Sequence, residues 1–493
     1  MATSRSRRFM RRALVVPGVF VALFALAGQA LAVIPITTVA EDPYTNTNAW
    51  HQALVEPDTY SYGNTIVAAF QGGGRFADGG SDNTGWATST NNGLTWTSGE
   101  LPSTTQYSSP PGPWNRISDP AVAYDPQDNI WMIAGIAIDN SVIGRAVVVS
   151  RSLDGGLTWQ APVTVSTAGS NSFWDKSWID CDTSATSPFY GNCYAQWDDA
   201  FQGDTLHMSR STDGGATWSP STVPNSGVIG GQIVVQPNGT VVVPITGNGL
   251  DSYVSSNGGV SYTGPFDISS MSTHGATNMR DGSGLASAEI DAAGTVYVAW
   301  NDCRFRSACK ADDIVFSSSS DGKTWSAVKK VPLVGMDSEL EVFLLGIGVD
   351  HATQGANAHL GVTFYFMPTN NCNSSTCKIN AAYISSVNAG ATWSLPVKLF
   401  GPSKQTWMPN PGGYFLGDYI STSFGSNGKA YPVIAYAKNP GTTCVVGNIT
   451  SCNEDMVVPT NGLAATGGTI PAGHNVLSSG TNPRPQGRLG TAF

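Results

Sequence analysis

Charge is scarce in this 493-residue chain: Asp, Glu, Lys and Arg together make only 12% of it. Basic residues are the scarcer sign, 25 against 35 acidic ones. Five of them, Arg5, Arg7, Arg8, Arg11 and Arg12, fall in the first twelve residues, where there is no acid. Beyond residue 32 the chain therefore carries 20 basic residues against 35 acidic ones, a net charge near −15. That balance excludes nucleic acid and anionic membranes as natural partners. Long segments of 3.6-residue periodicity are missing, which excludes a helical protein. Past Ala27 no apolar run is long enough to span a bilayer. No pair of cysteines has the two-residue gap of a zinc knuckle, and no His lies near one. A Gly-x-Ser-x-Gly elbow, a phosphate-binding loop and a zinc-protease helix are absent too. No cofactor is expected.

What is present begins with a leader. The basic region is followed by an apolar run from Ala13 to Ala27 and a small-residue cleavage site at Ala30-Leu31-Ala32. This is the pattern of a secretory signal, so residues 1–32 are expected to be removed and the protein to act outside the cell, as a monomer. All eight cysteines follow the leader in close pairs, Cys181/Cys193, Cys303/Cys309, Cys372/Cys377 and Cys444/Cys452. Secretion favours oxidation, so four local disulfides are expected.

The strongest signal is an eight-residue stretch used six times. Its cleanest copy is Ser152-Leu-Asp154-Gly-Gly156-Leu-Thr158-Trp159, and Ser211-Thr-Asp213-Gly-Gly215-Ala-Thr217-Trp218 nearly repeats it. Looser copies start at Ser89, Ser255, Ser319 and Ser386. Each reads as a hairpin lock. Asp or Asn caps the turn, Gly takes a backbone shape other residues resist, the hydroxyls bond neighbouring backbone, and the aromatic ring plugs the base. An ordered repeat is the signature of a repetitive architecture.

These residues are those of the Asp-box, or bacterial neuraminidase repeat, and the chain resembles the sialidase superfamily of β-propellers. The resemblance implies an all-β propeller of four-stranded blades with a box between the third and fourth strands. Reading outward from each box, blades span about 53–101, 121–165, 178–223, 232–266, 286–331 and 342–399. The strands at 418–423, 430–436 and 455–458 carry no box. The N-terminal segment 34–39 would complete them, giving seven blades in a closed ring, with six as the alternative. Box spacing makes the fourth blade the short one. Residues 459–493, rich in Gly and Pro, read as a loose tail.

The box turns lie on one face of such a ring, and the loops between second and third strands lie on the other. Sorted that way, one loop carries Arg75, Asp78 and Asp82, and another carries Arg304 and Arg306. Aromatics between blades, Trp174, Trp178 and Trp407 among them, could stack on sugar faces or pack between blades. The blade starts bring Glu56, Arg116, Asp119, Asp175, Lys176, Asp418 and Tyr419 near the channel mouth. Three arginines grip the substrate carboxylate in sialidases, because planar forks bind it bidentately. A Tyr activated by Glu attacks, and an Asp supplies the proton. On that resemblance Asp78 is the candidate acid with Asp82 second, Glu289 the Glu, Tyr419 the nucleophile, and Arg75, Arg116, Arg304 and Arg306 the candidate substrate cations. The family's first Arg position reads Trp50-His51-Gln52 here, and no Arg occurs between Arg306 and Arg484. The Gly-rich turn at Asp78 and Asp82 could instead hold a structural calcium.

The leading expectation is a secreted glycoside hydrolase of exo-sialidase type acting on a glycoconjugate. The alternatives are a propeller that binds carbohydrate or protein without catalysis, and a polysaccharide lyase with Tyr419 or His51 as base.

Overall fold

The computed structural model describes residues 34–76, 79–280, 284–335 and 337–472. The leader and Asp78 lie outside them. Every named strand pair is antiparallel.

Six successive segments each build a four-stranded meander. The first contains Leu54–Tyr62, Thr65–Gly74, Ser81–Ser89 and Thr97–Glu100. The second contains Arg116–Asp125, Ile130–Ile138, Gly144–Ser152 and Val163–Thr167, and a Ser81–Ile117 bridge joins it to the first. The inner strands of the next four are Trp174–Cys181, Val234–Val235, Ser287–Ile290 and Glu341–Val349. The fourth sheet is short because its middle strands, Val241–Gly247 and Gly249–Ser255, join in a tight turn where the others carry long loops.

The remaining strands form a seventh group. Ser423–Phe424 pairs with Lys429–Tyr431, and Pro432, which lacks an N–H, interrupts that strand before Ile434–Ala437. Glu454–Pro459 follows, and Ile36–Ala40 from the chain start pairs along its outer edge, Ile36 opposite Pro459. Residues 463–472 are held as well. Leu463–Ala464 pairs with Lys429–Tyr431, and Ile470–Pro471 pairs with Thr392–Trp393 of the sixth box, so the described part of the expected tail is pinned.

The sheets stack in cyclic order. Val67 and Trp86 of the first sheet pack with Trp131 and Trp159 of the second, and Ile179 and Trp197 of the third pack on Met132 and Val149 of the second. Equivalent cores lie between each later pair, and one cluster joins the sixth sheet, the seventh group and the first sheet. Each sheet is thus covered on both faces. That is why Ile130–Ile138, nine residues with only Gly and Ala among bulky apolar ones, is buried throughout. The inner strands touch in sequence order, and Ser423–Phe424 touches both Glu341–Val349 and Leu54–Tyr62.

All six box copies form the same lock. In the second, Ser152 Oγ donates to Asp154 Oδ1 at 2.8 Å and accepts from Gly156 N, while Asp154 accepts from Thr158 N and Thr158 Oγ1. Asn replaces Asp in three copies, and its Nδ2 donates to the hydroxyl instead, as from Asn388 to Thr392. Partial burial would raise the Asp154 pKa, but the bonds from Thr158 outweigh it and hold the pKa below the usual value. The second box glycine lies against the preceding sheet: a Cβ on Gly215 would come 2.8 Å from Met132 Sδ. One on Gly93, in the first sheet, would come 2.4 Å from the Tyr431 ring of the last group.

The disulfides form in the four pairings that the spacing predicts. Cys181–Cys193 closes the turn between the first two strands of the third sheet, at the box end. Cys303–Cys309 and Cys372–Cys377 staple the loops between second and third strands of the fifth and sixth sheets. Cys444–Cys452 staples the loop between Ile434–Ala437 and Glu454–Pro459 in the last group. These last three lie at the end remote from the boxes, and no described cysteine is left free for a metal.

Candidate functional site

The inner strands share a backbone device. Register shifts at Val55/Asp58, Ser118/Ala121, Asp175/Trp178 and Phe343/Leu345 mark bulges, and the extra residue takes a left-handed conformation: Glu56 (φ 58°), Asp119 (52°), Lys176 (52°) and Leu344 (49°). For an L-residue this costs about 1–2 kcal/mol, and such strain gathers at functional sites. Here it brings three charged side chains from three successive sheets together. Asp418, preceding the inner strand of the last group, completes the set.

Oxygens of Glu56, Asp119 and Asp418 lie within 4.8 Å of one another. Lys176 Nζ touches Asp418 and stands 3.8 Å from Asp119. Glu56 accepts from the Asp418 N–H at 3.1 Å and from Gln71 Nε2. Asp119 accepts from Ser118 Oγ and the Lys176 N–H. Burial, then the Asp418 and Asp119 charges, push the Glu56 pKa well up. Burial pushes Asp119 up to about 7 against the pull of Lys176. Burial opposes the charge on Lys176, but Asp418, Asp175 and Asp119 outweigh it and hold the amine protonated. Behind them Asp198, without a hydrogen-bond partner, is pushed to about 9 by burial and then by Asp175. A hollow of about 70 Å³ opens beside this cluster, lined also by Phe173, Trp174, Arg280 and Phe415, with the Arg280 guanidinium 4.6 Å over the Phe415 ring. The three acids are the one group among the described residues able to share a cation. The Lys176 ammonium supplies the positive charge there.

A second site occupies the other end of the axis. A cavity of about 390 Å³ is lined by Asp58, Tyr60, Asp180, Gln232, Glu289, His351 and Ser421, with residues from the inner strands of all six sheets and from the last group. Glu289 lies opposite Tyr297, which lies opposite Ser318 beside the box Ser319, so this is the box end. His351 Nε2 stands 3.3 Å from Glu289 Oε2. Burial alone would lower the His351 pKa, but the Glu289 carboxylate raises it overall. Burial pushes Asp180 well up and Asp58 to about 7. Trp178, edge-on to Tyr419 at 5.2 Å, lines this cavity and separates Asp180 from Lys176 along the strand.

Among the described residues, the expected catalytic side chains Asp82, Glu289 and Tyr419 are not brought together. Asp82 is buried against Arg75 at 2.9 Å, near the end of its sheet remote from the box, while Glu289 is at the box end. Burial lifts Asp82 to about 6 against that Arg. Tyr419 is buried, its hydroxyl donating to Pro120 O at 2.9 Å, and burial followed by the Glu56 charge holds the phenol protonated. An attacking phenolate needs the opposite environment. Nor do the arginines form a clamp. Arg75 is 3% exposed in its pair with Asp82, Arg306 is enclosed by Asp313 and three backbone carbonyls, Arg304 folds back on Asp302 at 2.6 Å, and Arg116 donates to Gly79 O. His51 is buried on Asp42 and Asn46 O. Trp174 packs on Trp197 and His207, and Trp407 is covered by Lys404. The blade-start residues Glu56, Asp119, Lys176 and Asp418 do converge. Arg280, Asp58, Asp180 and His351 have no motif. Arg280 and His351 lie outside the inner strands, and the only signal of the other two is alternation, Asp180 two residues after Trp178 and Asp58 two after Glu56.

The eight cysteines stand apart from this chemistry. Cys303, Cys309, Cys372, Cys377, Cys444 and Cys452 are spent in staples that hold loops around the far end, and none of them lines the hollow beside the acids. Cys181, bonded to Cys193, is the one cysteine on the wall of the box-end cavity.

Fold and box geometry define an all-β, sialidase-like propeller. No family model and no curated protein matches the chain. Solved structures match at low identity. A Dyadobacter fermentans protein of unknown function is 16% identical, with 72% of this chain and 99% of that one covered and a TM-score of 0.43. A Hadza microbial sialidase is 16% identical over 64% and 65% of the two chains, with a TM-score of 0.44. The phage phi92 endosialidase is 12% identical over 86% and 68%, with a TM-score of 0.48.

Proposed function

We propose that the protein is a secreted, seven-bladed propeller, closed by its N-terminal strand, that cleaves glycosidic bonds at the Glu56–Asp119–Asp418 cluster. One observation carries the reading: three carboxylates from three sheets meet within 4.8 Å at the axis, two of them on residues held in strained backbone. Carboxylate oxygens no more than 4.8 Å apart leave no room for an intervening water, which suits a double displacement, in which one carboxylate attacks and the other donates and then recovers a proton. Asp119, with a pKa near 7, is the proton donor at neutral pH. Asp418, paired with the Lys176 ammonium, is the nucleophile, and Glu56 positions it through the Asp418 N–H. The hollow of about 70 Å³ is smaller than a sugar ring, so the ring rests over Phe173 and Arg280 and only its reacting edge enters. Engagement of the four candidate arginines favours a neutral glycan over a sialoside. Four disulfides suit an extracellular enzyme.

The test is release of nitrophenol from a panel of neutral glycosides, beside a fluorogenic sialoside, by the purified mature protein. Cleavage of a neutral glycoside that falls ~10²-fold or more in Asp119→Asn and survives Arg304→Ala is expected. Sialic acid release lost in both Arg304→Ala and Tyr419→Phe would overturn the proposal. Binding without catalysis is the second reading, favoured by exposures of only 1–2% at the three acids.

A further inference from the structure

The cavity at the box end plays no part in the reaction proposed above, yet it is the larger of the two axial sites. Its walls are built, not left over. Asp58, Thr59 and Tyr60 come from the first sheet, Ile179 and Asp180 from the third, Ser287 and Glu289 from the fifth, and Ser421 precedes the last inner strand. The Cys181–Cys193 disulfide closes the loop whose Thr183, Ser184 and Thr186 line the mouth. This is the one staple at the box end, and it fixes that rim.

The lining is chemically mixed. Burial raises the pKa of both Asp180 and Asp58, which favours their protonated forms, able to donate as well as accept. Glu289 accepts, and its contact with His351 fixes the ring while 47% of the His side chain stays accessible at the cavity. Thr59, Thr183, Ser184 and Ser421 add hydroxyls that work in either direction. Tyr60 and Trp178 supply flat apolar faces. Donors, acceptors and stacking faces around about 390 Å³ are what a molecule with many hydroxyls and no net charge requires. An anion would meet the Asp and Glu side chains, and among the described residues no Lys or Arg lines the walls to receive it.

We propose that this cavity is a second binding site, for a neutral polyhydroxylated molecule of roughly one or two sugar rings, entered from the box face and separate from the carboxylate cluster at the far end. It holds a sugar while the other face works, so the two opposite faces bind separate glycans.

The experiment is titration of the full mature protein with galactose, glucose, N-acetylglucosamine, lactose, cellobiose and inositol. Binding is read by calorimetry and by the shift in melting temperature, in wild type, Glu289→Gln, Ser287→Phe and Thr183→Trp. Saturable binding of at least one sugar is expected. It should weaken ~10-fold or more in Ser287→Phe and in Glu289→Gln, because a filled cavity or a lost acceptor removes the site. Thr183→Trp blocks the mouth from a loop, so it keeps the test valid if Ser287→Phe fails to fold. Binding should persist in Glu56→Gln, which separates this site from the reaction proposed at the other end. The proposal is overturned if no sugar binds, if binding is indifferent to all three box-end substitutions, or if calcium chloride alone is bound there and sugars are not.

Discussion

The two ends of the axis are built from the same inner strands and hold opposite solutions to one problem, how to bury acids with little cation to spare. At the far end Glu56, Asp119 and Asp418 close around Lys176, whose side chain is 11% exposed, and what remains is a hollow of about 70 Å³. At the box end Asp58, Asp180 and Glu289 have only the half-exposed His351, and the channel stays open at about 390 Å³. The difference comes down to one bulge. Lys176 is the extra residue in the third inner strand, and its left-handed backbone aims a long cationic stem at the axis. Where an ammonium sits among the acids the channel is filled; where none does, room remains.

The comparison breaks most visibly at Lys176. Lys176→Met removes the ammonium from among three buried carboxylates and should cost about 3–5 kcal/mol, read as a large drop in denaturation midpoint at pH 7. An unchanged midpoint would mean that the acids are not charged around the amine. Next in size is the contrast in activity. Glu56→Gln should lower glycoside cleavage ~10²-fold, whereas Glu289→Gln should leave it within ~2-fold; equal losses would merge the two ends into one site.

A pH series sharpens the comparison. Asp58 and Asp119 have native pKa values near 7, above those of free carboxylates. The native state therefore holds protons that the unfolded chain has released, and stability falls as pH rises from about 4 to about 7. Each group contributes at most about 1.4 kcal/mol per pH unit in that window. Asp198, near 9, extends the fall to higher pH. Asp58→Asn, whose amide oxygen can still accept from the Val122 N–H, should flatten the slope of melting temperature between pH 5 and pH 7. A wild-type protein that gains stability across this window would contradict the burial of these acids. The smallest effect is expected at His351, where His351→Ala should cost under about 1 kcal/mol because the pair with Glu289 is partly solvated.

What could be read in advance divides along the same line. The boxes were legible because the side chains of Ser152, Asp154 and Thr158 bond to groups within the same eight residues, so the lock exists wherever the stretch does. The disulfides were legible for the same reason. Cys303–Cys309, Cys372–Cys377 and Cys444–Cys452 each join residues no more than eight apart, and Cys181–Cys193 spans twelve. The convergence of Glu56, Asp119, Lys176 and Asp418 was visible only as a list of blade starts, from which Tyr419 was the residue chosen as the nucleophile. Their loop marked Asp82 as an acid and Arg75 as a substrate cation, but the two pair with one another in the interior, and Arg306 does the same with Asp313.

Sequence alone therefore determined the all-β repeat, its turns and its staples, because those rest on contacts between near neighbours. Only the tertiary structure decided which acids share a site and which keep their protons. Lys176 and Asp418 meet across 242 residues, and Tyr419 donates to a carbonyl 299 residues away. Both contacts depend on how the inner strands come together around the axis. Protonation depends on burial and on neighbouring charge, and both are set only after the sheets have packed.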